Sequence, residues 1–205
     1  FAQSMTMRRK DQAPPARMAA LLESCRRDSK QKVLFISHHM GGGCERHMRE
    51  LAAVVQDQAQ VVTVRPSDFK GAVLRLGTDP GAEGLHFKLP EDYKDLLHVC
   101  AFLNISRVHF HHVMGIHPVL QNLARDLDVS WDITLHDFYF INANPTLTDR
   151  NGRYCADGLN RDRLCVETHP VPGGVSPRKW REQQKEFLQK AERVFVPSRY
   201  AADLY

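Results

Sequence analysis

The chain has 205 residues, of which 42% are hydrophobic and 25% are charged, and its formal net charge is +4. This composition is typical of a globular domain and excludes a disordered chain, and no apolar run reaches the roughly 18 residues that a membrane span requires. The basic residues form no dense tract, which argues against nucleic-acid binding. The mild positive charge indicates solubility or, as a second interpretation, peripheral contact with anionic lipid or phosphorylated ligands.

Helices and strands are predicted to alternate along the chain, because short apolar runs are followed by stretches with helical spacing. This alternation predicts an α/β, Rossmann-like three-layer domain with a mostly parallel sheet. The predicted strands are 32–36, 61–64 (with an end at Pro66), 72–76, 85–89, 107–111, 131–135 and 193–196, and the predicted helices are 18–27, a segment around 48–55, 93–103, 120–127, about 177–191 and a segment after Ser198.

Residues 1–31 are predicted to form an N-terminal extension with one short helix, and residues 32–205 the Rossmann-like domain. A long segment without periodicity, about 142–176, is predicted to be a functional or mobile loop. The chain lacks an initiator Met and stops just after a predicted helix start, so we expect it to be part of a longer protein. Five cysteines without a scaffold pattern predict a reducing, cytoplasmic location, at the inner face of the membrane if the basic surface meets lipid.

A triple glycine, Gly41-Gly42-Gly43, directly follows the first predicted strand and precedes a helix. Free backbone N–H groups at a helix start suit a phosphate, and glycines let it approach closely. The alternative is a tight turn without a ligand. Glu45 and Arg46 follow in the first helical turn, and His38 precedes the glycines.

Histidines mark the ends of two later strands. In Val108-His109-Phe110-His111-His112, strand alternation places His109 and His111 on one face. Packing and hydrogen bonding explain this pattern better than a metal site, since no supporting metal motif is present. Since the carboxyl ends of parallel strands share one edge, the histidines and the glycine turn are predicted to lie near one another.

His136 and Asp137 close the strand predicted at 131–135. His136 is placed to donate a hydrogen bond to a sugar hydroxyl or phosphate, and Asp137 to orient it or to receive a proton from an acceptor hydroxyl. A capping pair at a strand end is the alternative.

Cys155 and Cys165 lie in the long segment together with His169. They could hold a metal or form a disulfide, and free thiols are the interpretation that we prefer because two thiols alone do not make a structural zinc site.

Together these motifs resemble the N-terminal domain of glycosyltransferase family four, the large group of retaining GT-B enzymes. The resemblance covers residues 32–205 and rests on segments 33–47, 108–112, 135–139 and 191–198. The His-Asp-Phe-Tyr sequence and the cysteine-bearing segment after it look like bacterial enzymes of surface-polysaccharide assembly.

The resemblance implies two Rossmann-like domains facing a cleft, of which this chain is the acceptor-side half and lacks the C-terminal donor domain. It implies retaining transfer of a sugar from a nucleotide-sugar donor to a glycan or lipid-linked acceptor, with no metal and no cofactor, by a chain that is inactive without its partner domain. The alternative is a stand-alone Rossmann-like binding module for a phosphorylated ligand. The candidate catalytic residues are His136 and Asp137, and the candidate substrate-binding residues are His38, Gly41, Gly42, Gly43, Glu45, Arg46, His111, His112 and Tyr139.

Overall fold

The computed structural model describes residues 15–67, 71–155 and 169–205. The chain forms two compact units, Phe1–Asp132 and Ile133–Tyr205, and each is described by itself. Among the described residues, none of the helices is both long enough and apolar enough to span a bilayer.

The first unit alternates strands and helices as the sequence predicts. Its elements in chain order are α1 (Pro15–Arg27), β1 (Gln31–Ile36), α2 (Gly42–Val55), β2 (Ala59–Ser67), β3 (Gly71–Leu76), β4 (Gly84–Lys88), α3 (Tyr93–Phe102), β5 (Ile105–Phe110), a 3-10 helix (Pro118–Asn122), α4 (Leu123–Asp126) and β6 (Trp131–Thr134), which runs into the second unit.

Strand β1 lies at the centre of the sheet of the first unit, whose strand order is β4-β3-β2-β1-β5-β6. It pairs in parallel with β2 on one side and with β5 on the other, so that Leu34 lies between Val62 and Val108. Strands β3 and β4 extend the sheet beyond β2 as an antiparallel pair. This arrangement confirms the predicted α/β, Rossmann-like architecture with a mostly parallel sheet.

Helix α2 covers β1 with the face that its periodicity predicts. Met48 is fully buried and packs with Phe35, Cys44 and Val61. Leu51, Ala52 and Val55 are half-buried at the margin of this cluster. This packing fixes the axis of α2 relative to β1, and with it the position of the glycine turn that joins them.

Strand β2 and the helix predicted at 120–127 differ from their predictions. Strand β2 does not end at Pro66 but continues to Ser67, because Pro66 lies opposite Ala72 in the antiparallel pairing with β3. The helix predicted at 120–127 is a 3-10 helix followed by a single α-helical turn. Pro118 begins the 3-10 helix, and the His117 side chain caps it by accepting a hydrogen bond from the Val119 N–H.

The second unit begins within β6 and contains a 3-10 helix (Pro172–Gly174), α5 (Pro177–Leu188), β7 (Arg193–Phe195) and α6 (Arg199–Leu204). Strand β7 lies beside the end of β6, where the Leu135 N–H donates to the Phe195 carbonyl at 2.8 Å. Ser176 and Ser198 cap α5 and α6, since each side chain accepts a hydrogen bond from the backbone N–H three residues later.

The spacing of the apolar residues predicts that Trp180, Phe187, Leu188 and Ala191 lie on the inward face of α5, and the structure confirms this only for Trp180. Trp180 and Gln184 are buried, Phe187 and Leu188 are only half-buried, and Ala191 lies beyond the end of the helix. The apolar spacing therefore located the helix but misjudged which of its side chains are buried.

The beginning of the predicted long loop is structured. Asn142 and Asn144 are buried, and their side-chain oxygens accept hydrogen bonds from the N–H groups two residues later, at 2.9 and 3.1 Å. A bridge between Thr148 and Tyr154 closes the next turn. In this segment, hydrogen bonds to asparagine side chains take the place of regular backbone pairing. Hydrophobic periodicity gives no signal for such bonds.

Three of the cysteines, Cys25, Cys44 and Cys100, lie on helices and are buried, and Cys155 is free and half-exposed. Cys165 lies outside the described residues, so a metal site or a disulfide that includes Cys155 and Cys165 stays a prediction.

Candidate functional site

The glycine turn between β1 and α2 has a backbone that favours glycine. Gly41 and Gly42 have φ angles of 73° and 74°, a region that costs other residues about 1–2 kcal/mol. A Cβ atom added to Gly41, Gly42 or Gly43 would meet nothing within 4 Å. Gly41 and Gly42 are therefore needed for the path of the chain, and the space in front of all three glycines is open to a ligand.

The first turn of α2 carries an ion pair with a buried arginine from the neighbouring strand. The Arg65 Nη1 lies 3.2 Å from the Glu45 Oε2, and Arg65 is only 4% exposed. Burial and, after it, the charge of Arg65 lower the pKa of the Arg75 guanidinium. Glu45 is thus engaged by Arg65 and its charge is compensated at the positive end of the helix.

Arg46 lies on the exposed side of α2. Its Nε is 2.7 Å from the Glu50 carboxylate one turn later, and both side chains are largely exposed. The predicted contact of Arg46 with a ligand stays a prediction.

His38 and His112 form one pair of rings at the ends of β1 and β5, with centroids 4.8 Å apart. In each ring Nδ1 accepts a hydrogen bond from the backbone N–H two residues later, at 3.2 Å from Met40 and 2.9 Å from Met114. Because Nδ1 is the acceptor, the neutral ring carries its proton on Nε2, which is then the atom able to donate to a ligand.

His109 and His111 form a second group with His47 of α2. The rings of His109 and His111 are stacked at 4.3 Å with an interplanar angle of 6°, which confirms that they share one side of the strand. His111 is fully buried, with Phe35 against it edge-on at 4.6 Å and His47 at 5.5 Å.

The strand order explains why these residues meet. After β1 the chain moves to β2 on one side, and it later returns to β5 on the other, so the strand order reverses between β1 and β5. A crevice forms at such a switch point, outside the carboxyl ends of the strands, and ligands of α/β proteins bind there. The glycine turn follows β1 and the histidine segment follows β5, so the first unit brings both to this crevice.

The remaining predicted residues lie in the second unit. His136 and Asp137 follow the end of β6, and both are half-buried. The Asp137 Oδ1 accepts from the Tyr139 N–H at 3.0 Å, and the Asp137 carbonyl accepts from the Tyr205 hydroxyl. This is the geometry of the capping alternative for Asp137, and the catalytic roles of His136 and Asp137 stay predictions.

Tyr139 is a core residue of the second unit. It is 4% exposed, its ring meets Trp180 edge-on at 5.3 Å, and its carbonyl accepts from the Trp180 indole N–H at 3.2 Å. Burial, and after it the charge of Asp137, raises the pKa of Tyr139 to about 12. This packing gives Tyr139 a structural role, and its contact with a substrate stays a prediction.

The second unit also contains a groove of about 620 Å³, lined mainly by apolar side chains from α5, β7, α6 and the segment 135–141 that follows β6. Arg181 and Lys185 contribute its positive charges. His136, Asp137 and Tyr139 are not among the residues that line it.

Two residues that contact predicted site residues, Arg65 beside Glu45 and His47 beside His111, were missing from the prediction. Arg65 follows an apolar run, a position that is typical of the polar end of a strand. This position gives no sign that Arg65 forms an ion pair with Glu45. His47 lies three residues after Cys44 on α2, a spacing that places both on one face of the helix and could have drawn attention to it.

Comparison with known proteins identifies no relative. No family model, no curated protein and no solved structure matches the chain.

Proposed function

We propose that this chain is the acceptor-side domain of a retaining glycosyltransferase. The enzyme would move a sugar from a nucleotide-sugar donor to a glycan or lipid-linked acceptor in bacterial surface-polysaccharide assembly. A further domain, which would follow this one in the complete protein, would bind the nucleotide of the donor.

The observation that carries the proposal is the glycine turn at the switch point between β1 and β5. Its open backbone precedes a helix of 14 residues, whose first N–H groups and dipole favour a negatively charged ligand. A donor diphosphate or a phosphorylated acceptor has the matching charge.

The histidines support the same proposal. The Nε2 atoms of His38 and His112 would donate hydrogen bonds to hydroxyl or phosphate oxygens, since their Nδ1 atoms are fixed as acceptors. Such fixed donors stabilise the negative charge that develops on a leaving diphosphate, and this would be the main catalytic contribution. His136 would contact the transferred sugar, and Asp137 would orient the imidazole of His136.

Glu45 and Arg65 set the charge at the first turn of α2. A lone carboxylate in the first turn of α2 would repel a phosphate, and the guanidinium of Arg65 compensates this charge. The Arg65–Glu45 pair would therefore allow an anionic ligand to approach the helix start.

The experiment titrates the chain with pyrophosphate, UDP-glucose and GDP-mannose while the amide resonances of residues 41–45 are followed by NMR. Gly42→Ala should weaken the binding, because its side chain would enter the open space and strain the turn. Gly77→Ala is the matched control: Gly77 also has a positive φ, 84°, and open space around it, but it pairs with Val61 near the amino end of β2.

Loss of binding in Gly42→Ala together with normal binding in Gly77→Ala supports a phosphate site at the glycine turn. Transfer of labelled sugar is then measured with the chain alone and with the chain extended by the coding sequence that follows it. Transfer only by the extended protein supports the glycosyltransferase, binding without transfer by either protein supports a binding module for a phosphorylated ligand, and efficient transfer by the chain alone contradicts the proposed division between two domains.

A further inference from the structure

The imidazoles of His47 and His111 lie close enough to share a metal ion. Their ring nitrogens are within 4.8 Å of one another. Two nitrogen ligands on a tetrahedral zinc ion, with bonds of 2.0–2.1 Å, are about 3.4 Å apart. A shift of about 1.4 Å or less would therefore bring the pair to coordination distance.

One of the two ligands is held rigidly. His111 is fully buried between the rings of His109 and Phe35, and its backbone N–H donates to the Ile36 carbonyl at 2.8 Å. His47 is half-buried on α2, so a rotation of its side chain can supply the movement. A fixed ligand beside an adjustable one reduces the ordering that metal binding requires.

The ligand type selects the class of ion. Neutral imidazole suits zinc, copper, nickel and iron, whereas magnesium and calcium prefer oxygen ligands. Cys44 lies one helical turn before His47, but its thiol is 3.1 Å from the Ser37 hydroxyl and 3.9 Å from the His111 carbonyl. In this arrangement the thiol is engaged elsewhere, and the two rings are the ligands.

We propose that His47 and His111 bind one divalent transition-metal ion, such as Zn²⁺ or Co²⁺, at the carboxyl end of β5. Water would complete the coordination sphere of the ion. This site shares His111 with the predicted substrate-binding residues, but it does not rest on the proposed transferase function, because neither His47 nor a metal has a role in that function.

The test uses the full chain without a histidine tag, titrated calorimetrically with Zn²⁺ and, as the negative control, with Mg²⁺. Loss of a residue that merely supports a metal ligand costs about 10- to 100-fold in affinity, so loss of a ligand should cost at least about tenfold. We expect His47→Ala to weaken Zn²⁺ binding by that factor. His98→Ala removes an exposed histidine from α3 and should leave binding unchanged, which controls for the other histidines of the chain.

Equal affinity of His47→Ala and the unaltered chain would overturn the proposal, as would equal losses in His47→Ala and His98→Ala. His111→Gln should also weaken binding, and if it fails to fold, the His47 comparison decides alone. The absorption spectrum of the Co²⁺ complex provides an independent check, because a thiolate charge-transfer band would show that Cys44 is a ligand and would overturn the ligand set proposed here.

Discussion

The ion pair between Arg65 and Glu45 should be worth more to stability than the exposed ion pairs of the same helix. Arg65 is 4% exposed, and besides Glu45 it reaches the Thr78 carbonyl at 3.4 Å. The Glu45 side chain is 19% exposed and lies in the first turn of α2. Loss of the partner charge should therefore cost more stability when Arg65 is the charge that remains than when Glu45 remains, because Glu45 is in contact with water.

Removing one charge at a time should reveal this difference. Glu45→Gln leaves a buried guanidinium without its counter-charge and should destabilise the protein by about 3 kcal/mol. Arg65→Met should cost less, about 1–2 kcal/mol, because the Glu45 carboxylate can reach water and is stabilised by the helix dipole. The double variant has no buried charge, so its stability should be close to that of Arg65→Met, and the coupling energy should then equal the cost of Glu45→Gln, about 3 kcal/mol.

The assay is urea unfolding of the unaltered chain, both single variants and the double variant, followed by circular dichroism. The same cycle on Arg46 and Glu50, an exposed pair one turn apart on α2, is the control and should give no measurable coupling, because water screens both charges. A coupling energy for Arg65 and Glu45 no larger than that of the control pair would refute the reasoning, because burial would then add nothing to the interaction.

Three further predictions concern the core. Met48→Ala removes a fully buried side chain and should lower the free energy of unfolding by about 2–5 kcal/mol, while Val54→Ala, at a residue 79% exposed on the same helix, should change it by less than about 0.5 kcal/mol; equal effects in urea unfolding would contradict this. Because the pKa of Tyr139 is raised to about 12 in the folded protein and is about 10 in an unfolded chain, its stabilising effect should be complete below about pH 10 and lost as the pH rises to about 12. Tyr139→Phe should reduce that loss in alkaline unfolding experiments. Burial raises the pKa of Cys100 to about 12, so at neutral pH a thiol reagent should modify the half-exposed Cys155 first and Cys100 only on unfolding, as peptide mass mapping would show.

The fold class and most of the elements were predictable from the sequence. Short β-branched runs such as 32–36 and 61–64 leave little alternative to buried strands, and the helical spacing that includes Met48 located the buried face of α2. The glycine turn and the strand-end histidines were also recognisable, because parallel strands collect the residues that follow them at one edge.

The sequence predictions were wrong where strand pairing or side-chain hydrogen bonds, and not local residue preferences, determine the structure. Proline normally ends a strand, yet Pro66 lies within β2 because a hairpin partner extends the ladder past it. The segment after Asn142 has no apolar period, yet its asparagine side chains hold it in a compact, buried form. The α5 periodicity could not show that Gln184 is buried while Phe187 is only half-buried.

The sequence by itself therefore determined the alternation of strands and helices, the path of the glycine turn and the residues that follow β1 and β5, since these depend on local conformational preference and on the polarity of neighbouring residues. Only the tertiary structure decided which side chains meet: that Arg65 reaches Glu45, that the ring of His112 lies against that of His38, and that His47 comes within reach of His111. These contacts join residues distant in the chain, and they depend on how α2 packs on β1 and on the order of strands beside it, which no local pattern of residues contains.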